Sequence, residues 1–360
     1  MNAVPRQIDV VVMGGGPAGS ATAFLLGKAG LSTMILNPPR KYSPLGETLP
    51  AAAAPILRHL GVWNSFCELE TPRLDGIASA WGGGRLECRD LFSTPGGAGW
   101  ILDRQPFDKM LLHHCIQVST LVVPQAATHI ERLARRGGWQ IGFYEAGSQR
   151  TVCCRYLVNA AGKQGSARIP VQNSRMTLDC LIGAVAHFEN SAGHPYSLVE
   201  TVDDGWFYSS LFPKGPTAVV YFTDADIYAT RRKTNSRYFA SQLKKAVHTS
   251  ARIGHAEMLV PPSLVSAVTS RMHEAAGRDW ISVGDATCSF DPMSSLGIFK
   301  AIDSPTRACE SIIDALRGRV NLFAYQSWSH QVFEAYLGTR KRLYGQERRW
   351  SSTFWQRRIA

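Results

Sequence analysis

The feature that most constrains this chain is a glycine-rich segment between an apolar run and small residues, within the sequence VVMGGGPAGSATAFLLGKAG. Ile8 to Met13 predicts a strand, and Pro17 to Ala29 predicts a helix that packs tightly on a sheet. Gly14, Gly16 and Gly19 have the spacing G-x-G-x-x-G, in which bare backbone lets a pyrophosphate approach the N-terminus of the helix. The segment indicates a dinucleotide site, and a glycine-rich turn without a ligand is the alternative.

The chain continues as a βαβ unit, because Ser32 to Leu36 predicts a second strand after the helix. In such a unit an acidic residue about 20 residues on normally holds the ribose hydroxyls. Asn37 takes that place here. A carboxamide can donate to and accept from hydroxyls without the strength of a charge, so we expect a ribose contact that is weaker or compensated elsewhere.

Length and composition predict a globular protein of two domains that share an interface, since the chain has 360 residues and 45% hydrophobic content. Its apolar runs are shorter than the roughly 20 residues of a membrane span, and no leader pattern precedes Gly14. The eight cysteines form no C-x-x-C pair and no Cys/His ligand spacing. We therefore expect a cytoplasmic protein with reduced thiols, no bound metal and no membrane span.

The formal charge of +11 is concentrated at the C-terminus, where residues 340–360 hold seven Lys or Arg against Glu347 alone. A solvated helix face is one interpretation of this pattern. Attraction of an acidic partner protein or membrane is the other. Nucleic acid is not expected, because no nucleic-acid recognition motif accompanies the charge.

The middle of the chain predicts an antiparallel sheet, because residues 178–223 read as consecutive strands without helices between them. The predicted strands are Leu178 to Phe188, Tyr196 to Val202, Gly205 to Phe212 and Ala218 to Thr223. Such a sheet often forms the wall of a substrate pocket. Helices are expected from about Leu322 onward.

Two later segments strengthen the dinucleotide interpretation. YLVNAAGKQGSAR, residues 156–168, is an apolar strand that ends in Ala161 and Gly162. ISVGDATCSFDPMSSLGI, residues 281–298, is a strand that ends in Gly284 and Asp285, followed by a proline-containing loop and a helix start. Together with the glycine-rich turn, these motifs resemble the FAD-dependent monooxygenases of the hydroxybenzoate-hydroxylase fold.

The resemblance implies an α/β fold with an α+β substrate part and a discontinuous Rossmann-like FAD-binding domain. The expected division is residues 1–76, 100–170 and 270–318 for FAD, 77–99 and 171–269 for an antiparallel-sheet substrate domain, and 319–360 for a C-terminal helical segment. The implied cofactor-binding residues are Gly14, Gly16, Pro17, Ala18, Gly19, Asn37, Thr48, Arg104, Gly162, Gly284, Asp285, Pro292, Leu296 and Gly297.

Physical chemistry makes several of these implied roles reasonable. The Asp285 carboxylate would accept hydrogen bonds from the ribityl hydroxyls of FAD, although it could instead cap a helix. Pro292 would lie near the flavin edge. The backbone N–H groups of Leu296 and Gly297, at a helix N-terminus, would stabilise negative charge on the reduced ring.

A narrower resemblance rests on GETLPAAAAPILRHLGV, WILDRQPFDKML, DDGWFYSSLFP and YLGTRKRLYGQERRW. These segments resemble the tryptophan-halogenase-like branch. Within it they are similar to the flavoproteins required for tryptophylquinone biogenesis in lysine and glycine oxidases and quinohemoprotein amine dehydrogenase. The resemblance implies that Glu47 and Thr48 lie by the flavin and that Arg104 contacts FAD phosphate or holds the loop. Trp206 and Tyr208 would face the substrate, and packing in the core is their alternative role.

The sequence departs from true halogenases, which carry W-x-W-x-I-P and a dedicated lysine. Residues 206–211 read WFYSSL, and no lysine occurs between Lys41 and Lys109. We therefore expect oxygen chemistry on an electron-rich aromatic ring, not halide chemistry. Glu47 and Asp291 are candidate bases and Pro292 completes the candidate catalytic set, although either carboxylate could simply cap a helix or orient a loop.

The resulting hypothesis is an FAD monooxygenase that hydroxylates a protein-bound tryptophan during tryptophylquinone formation. The precursor of the tryptophylquinone enzyme would dock on the antiparallel sheet and the basic C-terminal helices. A monooxygenase of a small aromatic metabolite and a noncatalytic flavin-binding chaperone are the alternatives. Because WGGGRLECRD lacks a third glycine and a following helix, no separate nicotinamide domain is expected, and NAD(P)H or external reduced flavin would supply electrons.

Overall fold

A computed structural model describes residues 5–42, 45–91, 97–134, 137–165, 169–171, 173–189, 196–210, 215–231, 235–319 and 322–359. The strands are β1 Gln7–Met13, β2 Thr33–Leu36, β3 Glu47–Leu49, β4 Arg73–Leu74, β5 Gly76–Ala80, β6 Glu87–Asp90, β7 Gly99–Leu102, β8 Leu121–Val123, β9 Ala127–Arg132, β10 Trp139–Glu145, β11 Ser148–Asn159, β12 Arg175–Thr177, β13 Leu181–Phe188, β14 Tyr196–Val202, β15 Gly205–Ser210, β16 Thr217–Asp224, β17 Met258–Ser266, β18 Ser270–Met272, β19 Ala276–Gly277, β20 Trp280–Ser282 and β21 Cys288–Ser289. The helices are α1 Pro17–Lys28, α2 Ala53–His59, α3 Trp63–Glu68, α4 Arg104–Gln117, α5 Gly162–Gly165, α6 Ala225–Arg231, α7 Asn235–Leu243, α8 Val247–Ile253, α9 Gly297–Leu316, α10 Leu322–Tyr344 and α11 Thr353–Ile359.

The first sheet has the order β19-β20-β11-β1-β2-β8, and its five strands from β20 to β8 are parallel. The long strand β11 also pairs with β10, which continues into β9 as an antiparallel extension. The central strands are apolar and buried because helices α1, α4 and α9 pack on one face of the sheet. The predicted βαβ unit is confirmed as β1, α1 and β2.

The second sheet has the order β17-β13-β16-β15-β14-β5-β6 and is antiparallel except for the β14–β5 pair. The predicted antiparallel character of residues 178–223 is therefore confirmed. The first predicted strand starts three residues too early, because the Asp179 carboxylate accepts the N–H groups of Leu181 and Thr269 before the strand begins. The predicted end of the third strand at Phe212 lies outside the described residues.

Strand pairing decides which side chains of the second sheet share a face. Trp206 pairs with Phe222 and Tyr208 with Val220, so these four side chains lie on one face. The alternate residues point to the other face, where Phe207 and the strands beside it pack against α7 and α8. One face of the sheet is thus covered by α7 and α8, and the other packs against Tyr344, Phe354 and Trp355 of the C-terminal segment.

The C-terminal segment is helical as predicted, but most of its positive charge is used internally. Arg340 pairs with Asp179, Arg349 with Glu347, and both Arg357 and Arg358 with Asp224. Arg358 and Asp224 are both buried, so this pair is part of the protein interior. Four of the seven cations of the tail are therefore already paired within the chain, and docking of a partner on the tail stays a prediction.

Three further findings bear on the composition. Among the described residues, no helix is both long enough and apolar enough to cross a membrane. All eight cysteines are unpaired. Cys180, Asp224 and Asp226 offer three possible metal-ligand atoms within 4.8 Å of one another. Arg357 and Arg358 already neutralise both carboxylates, so this cluster is an ion-pair network.

Candidate cofactor and active site

A cavity of about 680 Å³ lies between the two sheets. The three sequence motifs meet at it, since Gly14, Gly162 and Asp285 all line its wall. Of the residues expected at the cofactor or the substrate, those that line the cavity are Gly14, Gly16, Pro17, Ala18, Glu47, Thr48, Arg104, Gly162, Trp206, Tyr208, Asp285, Asp291, Pro292 and Gly297. Gly19, Asn37, Gly284 and Leu296 are outside the lining, directly behind or beside it.

The glycine-rich turn is shaped by contacts that leave no space for side chains. A Cβ atom on Gly14 would lie 2.5 Å from the carbonyl oxygen of Ala160, and Gly14 has a φ of +106°. A Cβ atom on Gly19 would lie 1.9 Å from the carbonyl oxygen of Gly14. The turn leads directly into α1, whose N-cap Gly16 offers no side-chain acceptor to the first-turn N–H groups. The arrangement fits an anionic pyrophosphate at this helix N-terminus.

At the far end of the turn, Asn37 braces the loop, since its Oδ1 accepts a hydrogen bond from the N–H of Gly15 at 3.2 Å. Arg40 lines the same end of the cavity, with Nη1 2.8 Å from the position of a Cβ on Gly16. Sequence reasoning missed Arg40. A cation shortly after the second strand of a dinucleotide unit is a signal that could have found it.

Asp285 presents its carboxylate to the cavity, with 37% of its side chain exposed. From behind, Lys300 of α9 places Nζ 3.0 Å from Oδ1, and only 6% of the Lys300 side chain is exposed. Burial alone would raise the pKa of Asp285, but the charges of Lys300 and Lys163 outweigh it and hold the pKa below its usual value. An ionised acceptor of this kind suits ribityl hydroxyls. Lys300 had no signal in the sequence because it lies in the first turn of an amphipathic helix, outside any of the motifs.

The loop after Asp291 forms the floor of the cavity. It begins with a 3₁₀ turn at Pro292–Ser294 and ends at the first residue of α9, Gly297. Pro292 and Gly297 line the cavity. The N–H of Leu296 donates to Ser294 Oγ at 3.3 Å, so in this conformation it is directed within the loop.

Glu47 and Arg104 form an ion pair at the cavity wall, with Nη1 2.9 Å from Glu47 Oε2. Arg104 also donates hydrogen bonds to the carboxylate of Asp108, one turn along α4, from Nε at 3.0 Å and from Nη2 at 3.1 Å. Burial alone would lower the pKa of Arg104, but the charges of Glu47 and Asp108 raise it above its usual value. Glu47 is therefore held by a permanent cation, an arrangement that favours an orienting role over proton transfer.

Asp291 is almost fully buried, with 1% of its side chain exposed. Its Oδ1 accepts from the N–H of Met293 at 3.0 Å, and its Oδ2 accepts from the hydroxyl of Tyr344 at 2.8 Å. Burial raises the pKa of Asp291, although the charge of Arg340 opposes this. Both carboxylate oxygens already have donors.

The wall opposite the motifs is aromatic and uncharged. Trp206 stacks on Phe222 with ring centroids 4.2 Å apart, and its Nε1 donates to the Tyr344 hydroxyl at 3.1 Å. Tyr208 donates its hydroxyl hydrogen bond to the carbonyl oxygen of Gly46 at 2.5 Å, and burial raises the pKa of this hydroxyl. Both side chains line the cavity and also pack in the core, and their contact with a substrate stays a prediction.

This architecture, with three motifs at one elongated cavity, is that of a flavoprotein. The sequence model of the FAD binding domain matches residues 7–337, and the chain therefore belongs to this FAD-binding family of oxidoreductases. Its cofactor is FAD, as expected.

Individual relatives agree with this assignment. LodB of Marinomonas mediterranea, described as a putative FAD-dependent oxidoreductase, is 30% identical over 367 residues, which cover 99% of this chain and 98% of LodB. The flavin-dependent halogenase armH5 of Armillaria mellea is 23% identical over 90% of this chain and 68% of its own length.

Solved structures show the same fold. The myxobacterial chondrochloren halogenase CndH superposes with a TM-score of 0.87 at 19% identity, over 98% of this chain and 86% of that chain. The peptidyl tryptophan dihydroxylase QhpG, described as essential for tryptophylquinone cofactor biogenesis, superposes with a TM-score of 0.80 at 24% identity, over 98% of this chain and 79% of that chain. The predicted hydroxybenzoate-hydroxylase type of α/β fold is confirmed.

Proposed function

We propose that this protein is an FAD-dependent monooxygenase that hydroxylates a tryptophan residue of a partner protein during tryptophylquinone formation. The observation that carries the proposal is the cavity itself, in which FAD-binding motifs oppose an uncharged aromatic wall. Such a wall suits an indole ring. The similarity to LodB along nearly the whole chain supports an FAD-dependent oxidoreductase, and the fold of QhpG supports a protein-bound tryptophan as the substrate.

Different residues at the cavity would bind different parts of FAD. The first turn of α1 and the glycines at 14, 16 and 19 would receive the pyrophosphate, and Arg40 would add a positive charge there. Asp285 would accept from the ribityl hydroxyls. Pro292, Thr48 and the N-terminus of α9 would line the ring. When reduced, FAD supplies the electrons with which dioxygen is activated for transfer of one oxygen atom.

The remaining groups of the site would orient and shield the substrate. The Glu47–Arg104 pair would hold β3 against the start of α4, and Trp206 and Tyr208 would exclude water from the ring that reacts. Electrons would come from outside the chain, from NAD(P)H or external reduced flavin. We propose the cytoplasm as the location because all eight cysteines are free thiols.

Halogenation is the second candidate, because relatives such as armH5 and CndH are halogenases. Lys163 lines the cavity, but its Nζ lies 3.5 Å from the carbonyl oxygen of Ser266. Its charge is also close enough to Asp285 to lower the pKa of that carboxyl group. We propose that Lys163 serves the cofactor side of the cavity. The missing W-x-W-x-I-P sequence further favours oxygen chemistry.

The test uses the FAD-loaded protein, a flavin reductant, dioxygen, and the precursor of a tryptophylquinone enzyme, in buffers with and without chloride and bromide. Peptide mass mapping is expected to show added oxygen on one tryptophan of the precursor, independent of halide. Halogen on that residue would replace this proposal by halogenation. Oxidation of a free indole with no change in the precursor would assign a small aromatic substrate instead. Maturation by a variant that binds FAD but cannot be reduced would indicate a chaperone.

A further inference from the structure

Helix α10 places three polar side chains at one-turn intervals on one face, namely Tyr336, Arg340 and Tyr344. All three lie directly behind the loop that begins at Asp291. The loop itself lines the cavity from Asp291 to Met293 and at Ser295. The helix face therefore contacts the site from the side opposite to the cofactor and substrate space.

The three side chains contact different atoms of the loop and its surroundings. Tyr336 accepts the backbone N–H of Asp291 at 2.7 Å and shares a hydrogen bond with Thr269 Oγ1 at 2.9 Å. Arg340 pairs with Asp179 at 3.0 Å, and its Nε lies 3.6 Å from Asp291 Oδ2. Tyr344 is the link to the aromatic wall, since its hydroxyl lies between Asp291 and Trp206.

The direction of the hydrogen bonds along this link follows from chemistry. The indole Nε1 of Trp206 can only donate, so the Tyr344 oxygen accepts from it, and the Tyr344 proton is then directed to Asp291 Oδ2. The chain ends on a carboxylate whose other oxygen accepts from Met293. Because Trp206, Tyr344 and Asp291 are all buried, water cannot replace a lost partner, and the loss of either bond is costly.

We propose that the Tyr336–Arg340–Tyr344 face of α10 is a set of positioning residues that sets the loop of Asp291 and the ring of Trp206 in one fixed relative geometry. Asp291 is then a positioning residue as well, and not the base that its place beside Pro292 suggests. The inference deepens the proposed function, on which its catalytic part rests. Its structural part concerns only the shape of the site around FAD.

The experiment compares Tyr344→Phe, Asp291→Asn and the double variant with the wild-type holoprotein. Tyr325→Phe is the matched control, because Tyr325 is a buried tyrosine of the same helix whose acceptor, the Ser282 carbonyl oxygen, keeps a second donor in Thr287. The first measurement is the visible absorption and circular dichroism of bound FAD without any partner protein. The second is kcat and KM for tryptophan hydroxylation.

Both single variants are expected to bind FAD, to shift the spectrum of the bound flavin in the same direction, and to lower kcat at least tenfold. The kcat of the double variant should be no lower than that of the less active single variant, because both substitutions break the same hydrogen-bonded link. Tyr325→Phe should have the flavin spectrum and the kcat of the wild type. A wild-type flavin spectrum and kcat in Tyr344→Phe would overturn the proposal. Loss of activity only in Asp291→Asn, with additive effects of the two substitutions on kcat in the double variant, would also overturn it.

Should Tyr344→Phe fail to fold, Trp206→Phe removes the N–H donor from the same link, together with part of the indole ring, and keeps an aromatic ring beside Phe222. It is expected to shift the flavin spectrum in the same direction by a smaller amount, and an unchanged spectrum would contradict the proposal. The spectral comparison does not depend on the substrate. If the wild-type protein hydroxylated no tryptophan, the proposed function would fail while the spectra still decided the role of α10.

Discussion

Single residues at the cavity are fixed by two different physical requirements, space and charge. Lack of space requires glycine in the turn, because α1 starts so close to the preceding residues that Gly19 contacts the backbone of Gly14. Charge determines the role of Asp285. Its carboxylate is exposed to the cavity on one side and paired with the buried ammonium of Lys300 on the other. Each requirement leads to a variant with a distinct outcome.

Gly19→Ala is expected to abolish FAD binding, because the added methyl group would overlap the Gly14 carbonyl oxygen and displace the turn from the helix N-terminus. The measurement is the visible absorbance of the purified protein and an FAD titration by fluorescence. Gly338→Ala is the control, since a Cβ on this helical glycine meets no atom within 4 Å. Its FAD affinity should equal that of the wild type, and an unimpaired Gly19→Ala would refute the steric argument.

Asp285→Asn should weaken FAD binding at least tenfold and lower the free energy of unfolding by about 1 kcal/mol, because Lys300 loses a partly exposed counter-ion and keeps the Cys288 carbonyl oxygen as an acceptor. The second variant Asp285→Asn/Lys300→Met should recover stability but not FAD affinity. Isothermal titration with FAD and urea unfolding separate the two effects. Equal recovery of both would mean that Asp285 acts only through Lys300.

Sequence reasoning at this scale found residues whose role is local in the chain and missed those whose role depends on the tertiary structure. The spacing of three glycines and the Gly-Asp pair after a strand carry their own context. Lys300 contacts Asp285 only because α9 turns back over the loop, and Arg40 reaches Gly16 across the end of the sheet. The Lys300 contact leaves no pattern in the sequence, whereas the position of Arg40 shortly after the second strand of the dinucleotide unit is a signal.

Among the elements, the C-terminal segment differs most from its expected role. Its cations suggested either a solvated helix face or a surface for a partner, whereas helices α10 and α11 form part of the interior. Charge alone could not reveal this, because the acidic partners Asp179 and Asp224 lie more than 100 residues earlier. Strand β17 accommodates two prolines because it is an edge strand.

Glu347 connects α10 with the second sheet and makes stability depend on pH. It accepts from Arg349, from Thr201 Oγ1 at 2.6 Å and from the N–H of Gly82 at 3.1 Å. Burial alone would raise the pKa of Glu347, but these hydrogen bonds lower it to about 2 from 4.5. Because the folded-state pKa is the lower one, the stabilisation is complete above pH 4.5 and is lost as the pH falls toward 2.

We therefore expect Glu347→Gln to lower the free energy of unfolding at pH 7 by roughly 2 kcal/mol and to flatten its pH dependence below pH 4.5. Denaturant unfolding at a series of pH values measures both quantities. Glu310→Gln, on the exposed face of α9, is the control and should leave the profile unchanged. An unaltered slope in Glu347→Gln would show that another carboxylate is responsible.

At the scale of the whole molecule, the cavity is built from both sheets, so FAD would tie the two halves of the protein together. FAD should therefore stabilise the protein as a unit, by about 2.7 kcal/mol at a concentration 100-fold above its dissociation constant. Thermal unfolding of flavin-free protein with added FAD is expected to show one transition that moves up by several degrees. Two transitions, of which FAD moves only one, would show that the sheets unfold independently.

The class of fold was predictable because its evidence is local: a glycine-rich turn, a Gly-Asp strand end and consecutive strands without helices. The meeting of these motifs at one cavity was implied by resemblance and not by any single segment. The pairing of β14 with β5 in parallel could not be read from the sequence, since Tyr196 to Val202 and Gly76 to Ala80 are separated by more than 100 residues. The boundaries of the three predicted domains stay a prediction.

The most direct test of the account is a diffraction structure of the FAD-loaded protein. We expect the pyrophosphate within hydrogen-bonding distance of the first-turn N–H groups of α1, the ribityl hydroxyls at Asp285, and the flavin ring between Pro292 and the wall of Trp206 and Phe222. A flavin bound outside this cavity, or with its ring turned away from the antiparallel sheet, would contradict the account.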